Sequence, residues 1–188
     1  MSDAETPDAE SSDAETSDAG TRREVELRRV AGDLLEQLVG AALGDAAAGE
    51  VTPPVTPGDE WTAERAEWLR TFHRTRSPDL AGDDAEMTWA VVADGQVVGA
   101  IRLKRIGGSR SAEVGLWLTR SVRGRGVGRS AVAAVLENAA DRGMTAVRAD
   151  TTAGNHRALA LLAALGFEPT SVDGDAVIAW RALSDAAG

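Results

Sequence analysis

A glycine-rich turn within residues 121–137, SVRGRGVGRSAVAAVLE, constrains the fold most, because three glycines at alternate positions lead directly into a helical pattern. Inside a helix, each glycine costs about 1 kcal/mol relative to alanine. Gly124, Gly126 and Gly128 therefore indicate a turn that needs bare backbone. The first N–H groups of a helix lack internal partners and carry the positive end of its dipole, so the turn favours a diphosphate ligand. Three arginines add positive charge there: Arg123, Arg125 and Arg129.

The turn alone does not identify the ligand. A nucleotide-binding P-loop ends in Gly-Lys-Ser or Gly-Lys-Thr, and this turn has no such ending. A dinucleotide fingerprint, G-x-G-x-x-G/A, fails from Gly124 because its last position is Arg129. From Gly126 the fingerprint ends at Ala131 and leaves Gly124 unexplained. Residues outside the turn are therefore needed to identify the class of phosphate ligand.

Composition excludes several classes of protein. The absence of cysteine excludes disulfides, thiolate metal sites and a cysteine nucleophile, and no metal cofactor is predicted. The sequence has neither a run of 18 apolar residues nor a signal-peptide pattern, so we predict a cytoplasmic chain with no membrane partner. The basic residues form no stripe along the chain, so nucleic acid is not an expected partner.

The N-terminus differs in composition from the rest of the chain. Residues 2–21 are four near-copies of a five-residue unit: SDAET, PDAES, SDAET and SDAGT. Seven of the 30 acidic residues fall there with no basic residue, whereas the remaining 23 acids face 20 bases. Such a segment cannot bury enough apolar surface to offset its ordering entropy. We predict a disordered acidic tail over 1–21 and one folded domain over 22–188.

Alternation and helical spacing predict a strand–helix order of β-α-α-β-β-β-α-β-α-β-β. Asp33 and Glu36 resemble a capping box for the first helix, and Thr62 is the expected N-cap of the second. Asp94-Gly95 between two β-rich runs predicts a hairpin, and Gly166 is the expected stop of the last helix. The order predicts an α/β (mixed α+β) fold: a central mixed, mostly antiparallel sheet of about seven strands, flanked by about four helices.

Two motifs resemble those of the GNAT N-acetyltransferase superfamily. Arg123-x-x-Gly126-x-Gly128 is similar to its Gln/Arg-x-x-Gly-x-Gly/Ala signature, and a strand ending in GLWLT precedes it, as in that family. The segment NHRALALLAALGF, residues 155–167, resembles the family's Asn-x-x-Ala…Leu-Gly-Phe helix. The stretch AEVGLWL, residues 112–118, looks most like the branch that acetylates ribosomal-protein N-termini. The resemblance covers roughly residues 22–183 in element order, with its specific motifs between 113 and 167.

The resemblance implies acetyl-CoA as the acetyl donor. It places the pyrophosphate on the backbone amides of the turn and implies that the strand at 116–118 splays from its neighbour. Backbone N–H groups exposed there would bind the pantetheine and the thioester carbonyl, which becomes an oxyanion during attack. Asn155 would help to hold the pantetheine, and a plain helix N-cap is compatible with that role. The expected cofactor-binding residues are Leu116, Trp117, Leu118, Arg123, Gly124, Arg125, Gly126, Val127, Gly128, Arg129 and Asn155.

The resemblance also implies a general base, for which the sequence offers two carboxylates. Transfer to an amine needs the neutral amine, so a base assists the reaction, often through water. Glu113 precedes the phosphate turn by ten residues, and Asp150 precedes Asn155 by five. Strand alternation puts Glu113 on one face with Trp117, which favours Glu113 narrowly over Asp150.

The sequence departs from the family pattern at the general acid. Many relatives have a tyrosine seven residues after the asparagine, where this chain has Leu162, and some have a serine where it has Ala158. Water can protonate the CoA thiolate; the alternative is a non-catalytic acyl-CoA-binding or regulatory module. We expect an amine or peptide acceptor lined by residues 51–61 and 171–175, with Trp61 a candidate contact. His73 is expected on a solvated face, and exposed strands could pair two copies in a homodimer.

Overall fold

The computed structural model describes residues 24–76, 79–171 and 174–183. The acidic repeats predicted to be disordered lie outside these residues, as does Asp173 of the predicted acceptor loop. Within the described part, the elements follow the predicted order, with two additional short helices, an α-helix at Ala48–Val51 and a 3-10 helix at Arg120–Val122.

Seven strands form one sheet, in the spatial order β1-β2-β3-β4-β5-β7-β6. All neighbouring pairs are antiparallel except β4 and β5, which are joined through a helix and run parallel. The mixed, mostly antiparallel sheet is therefore confirmed. The strands are β1 (Val25–Arg29), β2 (Glu86–Ala93), β3 (Gln96–Arg105), β4 (Ser111–Leu118), β5 (Ala146–Thr152), β6 (Glu168–Ser171) and β7 (Ala176–Ala182).

Helices cover both faces of the sheet. One apolar core joins α4 to the alternate side chains Ile101, Leu103 and Val114 of β3 and β4. A second core on the opposite face joins α1 and α3 to Trp117. The two faces of β4 consequently have different neighbours. The α-helices are α1 (Asp33–Asp45), α2 (Ala48–Val51), α3 (Ala63–Arg74), α4 (Val127–Asp141) and α5 (His156–Ala164).

The two predicted helix starts have different outcomes. Thr62 caps α3, and its side chain accepts a hydrogen bond from the Arg65 amide at 3.2 Å. The predicted capping box at Asp33 is wrong, because α1 begins after Gly32 without a side-chain cap. Glu36 instead binds the guanidinium of Arg70, and this hydrogen bond lowers the pKa of the carboxyl. Glu36 thus links α1 to α3.

Arg65 organises the proline-rich loop between α2 and α3. Its side chain is 1% exposed, and it donates to hydroxyl and carbonyl oxygens of that loop. The shortest bonds reach the Gly58 carbonyl at 2.8 Å and the Thr52 hydroxyl at 2.9 Å, with Thr56 held at 3.0 Å through its hydroxyl and its carbonyl. A buried guanidinium needs partners for its donors, so the loop is folded around this side chain.

Candidate active site

Strands β4 and β5 separate before they end. Their pairing stops at Val114 and Ala149. Strand β4 continues on β3 as far as Leu118, and β5 continues on β7 as far as Thr152. The facing edges of 115–118 and 150–152 therefore bound a wedge-shaped gap, as predicted. Backbone groups along this edge, apart from the Leu118 carbonyl that Arg123 binds, are available to a ligand.

The glycine turn closes one end of this gap. Gly126 is the N-cap of α4 and adopts a left-handed conformation with φ 81°, which an L side chain rarely tolerates. The Ser130 amide donates to the Gly126 carbonyl at 3.1 Å, so residues 127–129 form the first turn of the helix. Their N–H groups lie at the positive end of α4. The turn can therefore bind an anion by its backbone.

The gap and the turn open into one cleft of about 830 Å³. Nine of the eleven predicted cofactor-binding residues line it. The other two do not: Val127 is buried in the core, and Arg125 is exposed outside the cleft. The lining residues are Glu50, Leu116, Trp117, Leu118, Arg123, Gly124, Gly126, Gly128, Arg129, Thr152, Gly154, Asn155, Arg157, Ala158, Ala160 and Leu161.

Several lining residues were missed by the sequence analysis. Arg157 and Leu161 lie on α5, which Asn155 caps by accepting a hydrogen bond from the Ala158 amide at 3.2 Å. Helical spacing from Asn155 was the available signal for these positions. Glu50 belongs to α2, and only the tertiary fold brings it to the turn at 124–129.

Glu50 and Arg123 connect the two sides of the cleft. The Arg123 guanidinium donates to both Glu50 carboxylate oxygens, at 3.1 and 2.6 Å, and to the Leu118 carbonyl at 2.8 and 3.0 Å. The hydrogen bond from Arg123 lowers the pKa of Glu50, while partial burial acts in the opposite direction. At the end of α1, Asp45 accepts a hydrogen bond from the Ser121 amide at 2.9 Å. Hydrogen bonding with the Ser121 side chain, followed by this amide bond, lowers the pKa of Asp45.

The predicted base Glu113 lies outside the cleft lining. One carboxylate oxygen accepts from Arg102, and the other accepts from Arg148 at 2.5 Å. Its side chain is 17% exposed. Arg102 can reach it because Gly115 has no side chain: a Cβ there would lie 2.5 Å from Arg102 Nε. The geometry shows a carboxylate held between two guanidinium groups.

Glu113 belongs to a row of alternating charges across the α1/α3 face of the sheet, which we call the ion-pair ladder. Arg76 and Arg102 both bind Glu86, Arg102 and Arg148 both bind Glu113, and Arg148 also binds Asp150 at 3.1 Å. The ladder consists of Arg76, Glu86, Arg102, Glu113, Arg148 and Asp150.

Asp150, the second predicted base, is placed differently from Glu113. It lies on β5 beyond the last β4–β5 pair and is 47% exposed. Strand alternation puts it on the same face as Thr152, which lines the cleft. Asp150 itself is not one of the lining residues. Because it lies where β5 has just separated from β4, on the same face as Thr152, we describe it as lying at the rim of the gap.

Leu162 occupies the position where many relatives have a tyrosine. Its side chain is 7% exposed and packs in the main apolar core, away from the cleft. Ala158, at the position where some relatives have a serine, does line the cleft. The helix thus presents an alanine methyl group where an acid was sought.

Two further expectations concern ring side chains on and before α3. His73 was expected on a solvated face but is only 5% exposed, because Ala66, Leu69 and His73 share the buried side of α3. Burial, followed by the nearby Arg76 charge, lowers the pKa of His73 to about 4. Trp61 packs against the second core and donates from Nε1 to the Ala46 carbonyl at 2.9 Å, outside the cleft.

Residues 57–167 match the model of the acetyltransferase (GNAT) family, which spans this cleft from the α2–α3 loop to the end of α5. The chain belongs to the acetyltransferase (GNAT) family. It is therefore of the acyltransferase class, as predicted. No curated protein sequence matches the chain significantly.

Solved structures share the fold at low sequence identity. Spermidine N-acetyltransferase from Vibrio cholerae, in complex with CoA and spermine, has a TM-score of 0.64 and 17% identity, covering 86% of this chain and 96% of its own. Mycobacterium smegmatis RimJ, in complex with CoA-disulfide, has a TM-score of 0.64 and 20% identity, covering 87% and 84%. Campylobacter jejuni N-acetyltransferase PseH, in complex with acetyl coenzyme A, has a TM-score of 0.57 and 18% identity, covering 86% and 100%.

Two absences hold for the part of the chain that the structure describes. Among those residues, no group of three or more His, Asp or Glu side chains is arranged to hold a metal ion. Nor does any described helix have the length and apolar character needed to span a bilayer.

Proposed function

We propose that the protein is an acetyl-CoA-dependent N-acetyltransferase that acts by direct attack of a primary amine, on a small molecule or a peptide N-terminus. One observation carries this proposal: the gap between β4 and β5 is continuous with the glycine turn in a single cleft. A thioester and a diphosphate, the two chemical features of acetyl-CoA, find backbone donors at the two ends of that cleft.

The donor would bind mainly through backbone groups. Its pyrophosphate accepts hydrogen bonds from the amides of residues 124–129, at the positive end of α4. The cleft lining has three arginines, Arg123, Arg129 and Arg157, against the single carboxylate of Glu50. The pantetheine follows the free edge of 116–118, where an N–H group donates to the thioester carbonyl.

The acceptor would enter from the α1/α3 face, where Trp117 and Thr152 border the gap. Asp150 is the base we favour on this side, because it lies at the rim and is far more exposed than Glu113. A carboxylate at the rim of the gap takes the ammonium proton through a water molecule. Glu113 would act as a positioning residue, since it holds Arg148, which in turn holds Asp150.

The reaction balances without a protein acid. The amine nitrogen attacks the thioester carbonyl carbon, and the resulting oxyanion is held by a β4 amide. Asp150 releases the ammonium proton to solvent before attack. When the carbon–sulfur bond breaks, the second nitrogen proton passes by way of water to Asp150 and on through water to the CoA thiolate, so that one proton is released overall. Leu162 is buried, and the tyrosine-free sequence offers no phenol for this step.

The named neighbours support an amine acceptor. Spermidine N-acetyltransferase from Vibrio cholerae was solved with CoA and spermine, which is a polyamine. In this chain, Asp150 at the rim, 47% exposed, supplies negative charge on the acceptor side. Such charge favours a cationic amine.

The test is to incubate the protein with acetyl-CoA and a panel of polyamines, amino sugars, amino acids and peptides with free N-termini. We expect CoA release that depends on an acceptor, together with acceptor mass increased by one acetyl group. Binding of acetyl-CoA without transfer to any acceptor would contradict the proposal. That result would support the second candidate, a non-catalytic acyl-CoA-binding or regulatory module, which Leu162 and Ala158 favour because neither supplies an acid.

A further inference from the structure

The narrow end of the cleft lies where β4 and β5 part. The last pair between the two strands is Val114 with Ala149, so the sheet itself closes the gap there. The first β4 residue in the cleft lining is Leu116. Gly115 lies between the closed end and Leu116, and it does not contribute to the lining. The cleft therefore stops just short of the last β4–β5 pair.

Arg102 covers the α1/α3 face of the gap at Gly115. The two residues are directly paired between β3 and β4, and a Cβ on Gly115 would lie 2.5 Å from Arg102 Nε and 3.1 Å from its Cγ. Glu86, at 2.9 Å, and Glu113 hold the guanidinium in this place. Moving Arg102 aside would separate it from both carboxylates, so an apolar chain gains no room here.

Trp117 forms the next part of the same face. Strand alternation puts its side chain on the α1/α3 side, opposite to Leu116 and Leu118. Trp117 lines the cleft, and it also packs against the second core. The indole therefore stands between the gap and an apolar interior. The buried residues of that core are Leu35, Val39, Ala42 and Leu69.

On the proposed function, the acyl group of the donor reaches these two side chains. The pyrophosphate site is the turn that follows β4, so the pantetheine runs back along the strand edge from 118 towards 116, and the thioester comes last. Carbons beyond the thioester extend towards Gly115, where Arg102 lies, or towards the α1/α3 face, where Trp117 lies. The remaining opening, beside Thr152, is the path by which the amine enters. An acetyl group ends at this point, whereas a longer chain meets Trp117 or Arg102.

We propose that Trp117 restricts the donor to short acyl groups, because its indole blocks the route from the gap to the second core. The inference rests on the proposed function only as far as acyl-CoA binding, and it requires no acceptor. Selection is by chain length, since an indole excludes a chain by its volume. Truncation of Trp117 would connect the gap to a cavity lined by aliphatic side chains. Apolar cavities of this kind stay dry and bind apolar ligands.

Calorimetric binding of acetyl-CoA, butyryl-CoA and hexanoyl-CoA tests the proposal. We expect the unmodified protein to bind hexanoyl-CoA roughly tenfold more weakly than acetyl-CoA, because the added methylenes must displace packed side chains. In Trp117→Ala we expect the order to reverse, with about a fourfold gain in affinity for each methylene that enters the new cavity. Trp117→Phe keeps a ring in the core and should admit butyryl-CoA but not hexanoyl-CoA, which provides the test if the alanine variant does not fold.

Trp68→Ala is the matched control. Trp68 packs against the same second core but is not one of the cleft-lining residues. We expect it to lower thermal stability, as Trp117→Ala does, while the preference for acetyl-CoA stays that of the unmodified protein.

Three results would overturn the inference about Trp117 alone: equal binding of the three probes by the unmodified protein, an unchanged preference in both Trp117 variants, or the same shift of preference in Trp68→Ala. Failure of all three probes to bind would instead overturn the proposed function, and this inference with it.

Discussion

The candidate acetyl-CoA cleft and the ion-pair ladder share strand β4 but differ in their polar groups. The cleft exposes backbone groups, whereas the ladder pairs side-chain charges. In the cleft, β4 leaves β5 after Val114 and exposes backbone groups along its edge, and the first amides of α4 lie at the start of that helix. In the ladder, the carboxylates of Glu86 and Glu113 are each bound by two arginines. The comparison contrasts exposed backbone donors, which a ligand can use, with paired side-chain charges, which hold the sheet face together.

The largest expected effect is on the cleft side of this comparison. A Cβ on Gly128 would have ordinary contacts, 3.5 Å from Leu116, Leu118 and Leu161. Gly128→Glu should therefore fold but place a carboxylate at the phosphate turn. We expect roughly a 100-fold loss of CoA affinity by calorimetry, because a like charge opposes the pyrophosphate at the helix end.

The control for that experiment is Gly128→Ala, which adds the methyl group without charge. We expect nearly unchanged thermal stability and a CoA affinity close to that of the unmodified protein. If Gly128→Glu bound CoA normally, the glycine turn would not be the phosphate site.

The next effect separates Asp150 from Glu113, two of the three carboxylates of the ladder. If Asp150 is the base, Asp150→Asn should lower kcat roughly 100-fold while leaving CoA affinity and stability nearly unchanged. Glu113→Gln should instead lower the free energy of unfolding by about 2 kcal/mol, because Arg102 and Arg148 lose their shared partner. Steady-state kinetics and urea unfolding on both variants measure this crossover. The reverse pattern would assign the base to Glu113.

The smallest effect is expected at Glu50, which forms an ion pair with Arg123 in the cleft. The pKa of Glu50 is lowered in the folded protein, so its pairing with Arg123 stabilises the fold above the ordinary value of 4.5 and is lost as pH falls through the lowered pKa. Because its side chain is 45% exposed, Glu50→Gln should cost only about 0.5 kcal/mol, and only at the higher pH. Denaturant unfolding at pH 7 and pH 3 tests this sign; Arg74→Gln, which leaves Glu50 and Arg123 in place, is the control.

Local sequence was sufficient for the cleft's backbone. Gly124 and Gly126 need left-handed backbone, and both adopt it, at φ 77° and 81°. Asn155 caps α5 and Thr62 caps α3, because a short polar side chain can accept a hydrogen bond from a nearby amide at the start of a helix. Predictions of this kind succeed because the residue and the group that it satisfies lie within a few positions of each other.

Predictions of side-chain environment were less successful. The spacing of Ala66, Leu69 and His73 already indicated one helix face, yet a histidine beside arginines was assigned to solvent. Glu113 could be placed on its strand, but its partners Arg102 and Arg148 come from β3 and β5. Glu50 lies on α2 and lines the cleft, where it binds Arg123, 73 positions away, a contact that no local pattern encodes.

The sequence by itself determined the glycine turn, the order of strands and helices, and membership of an acetyltransferase family. These features depend on local backbone conformation, which restricts the residue types at nearby positions. The tertiary structure alone decided which charges are paired, that Leu162 faces the core, and that Trp117 lies between the cleft and the second core. Those features depend on contacts between residues far apart in the chain, where the free energy of a charge is set by its neighbours in space.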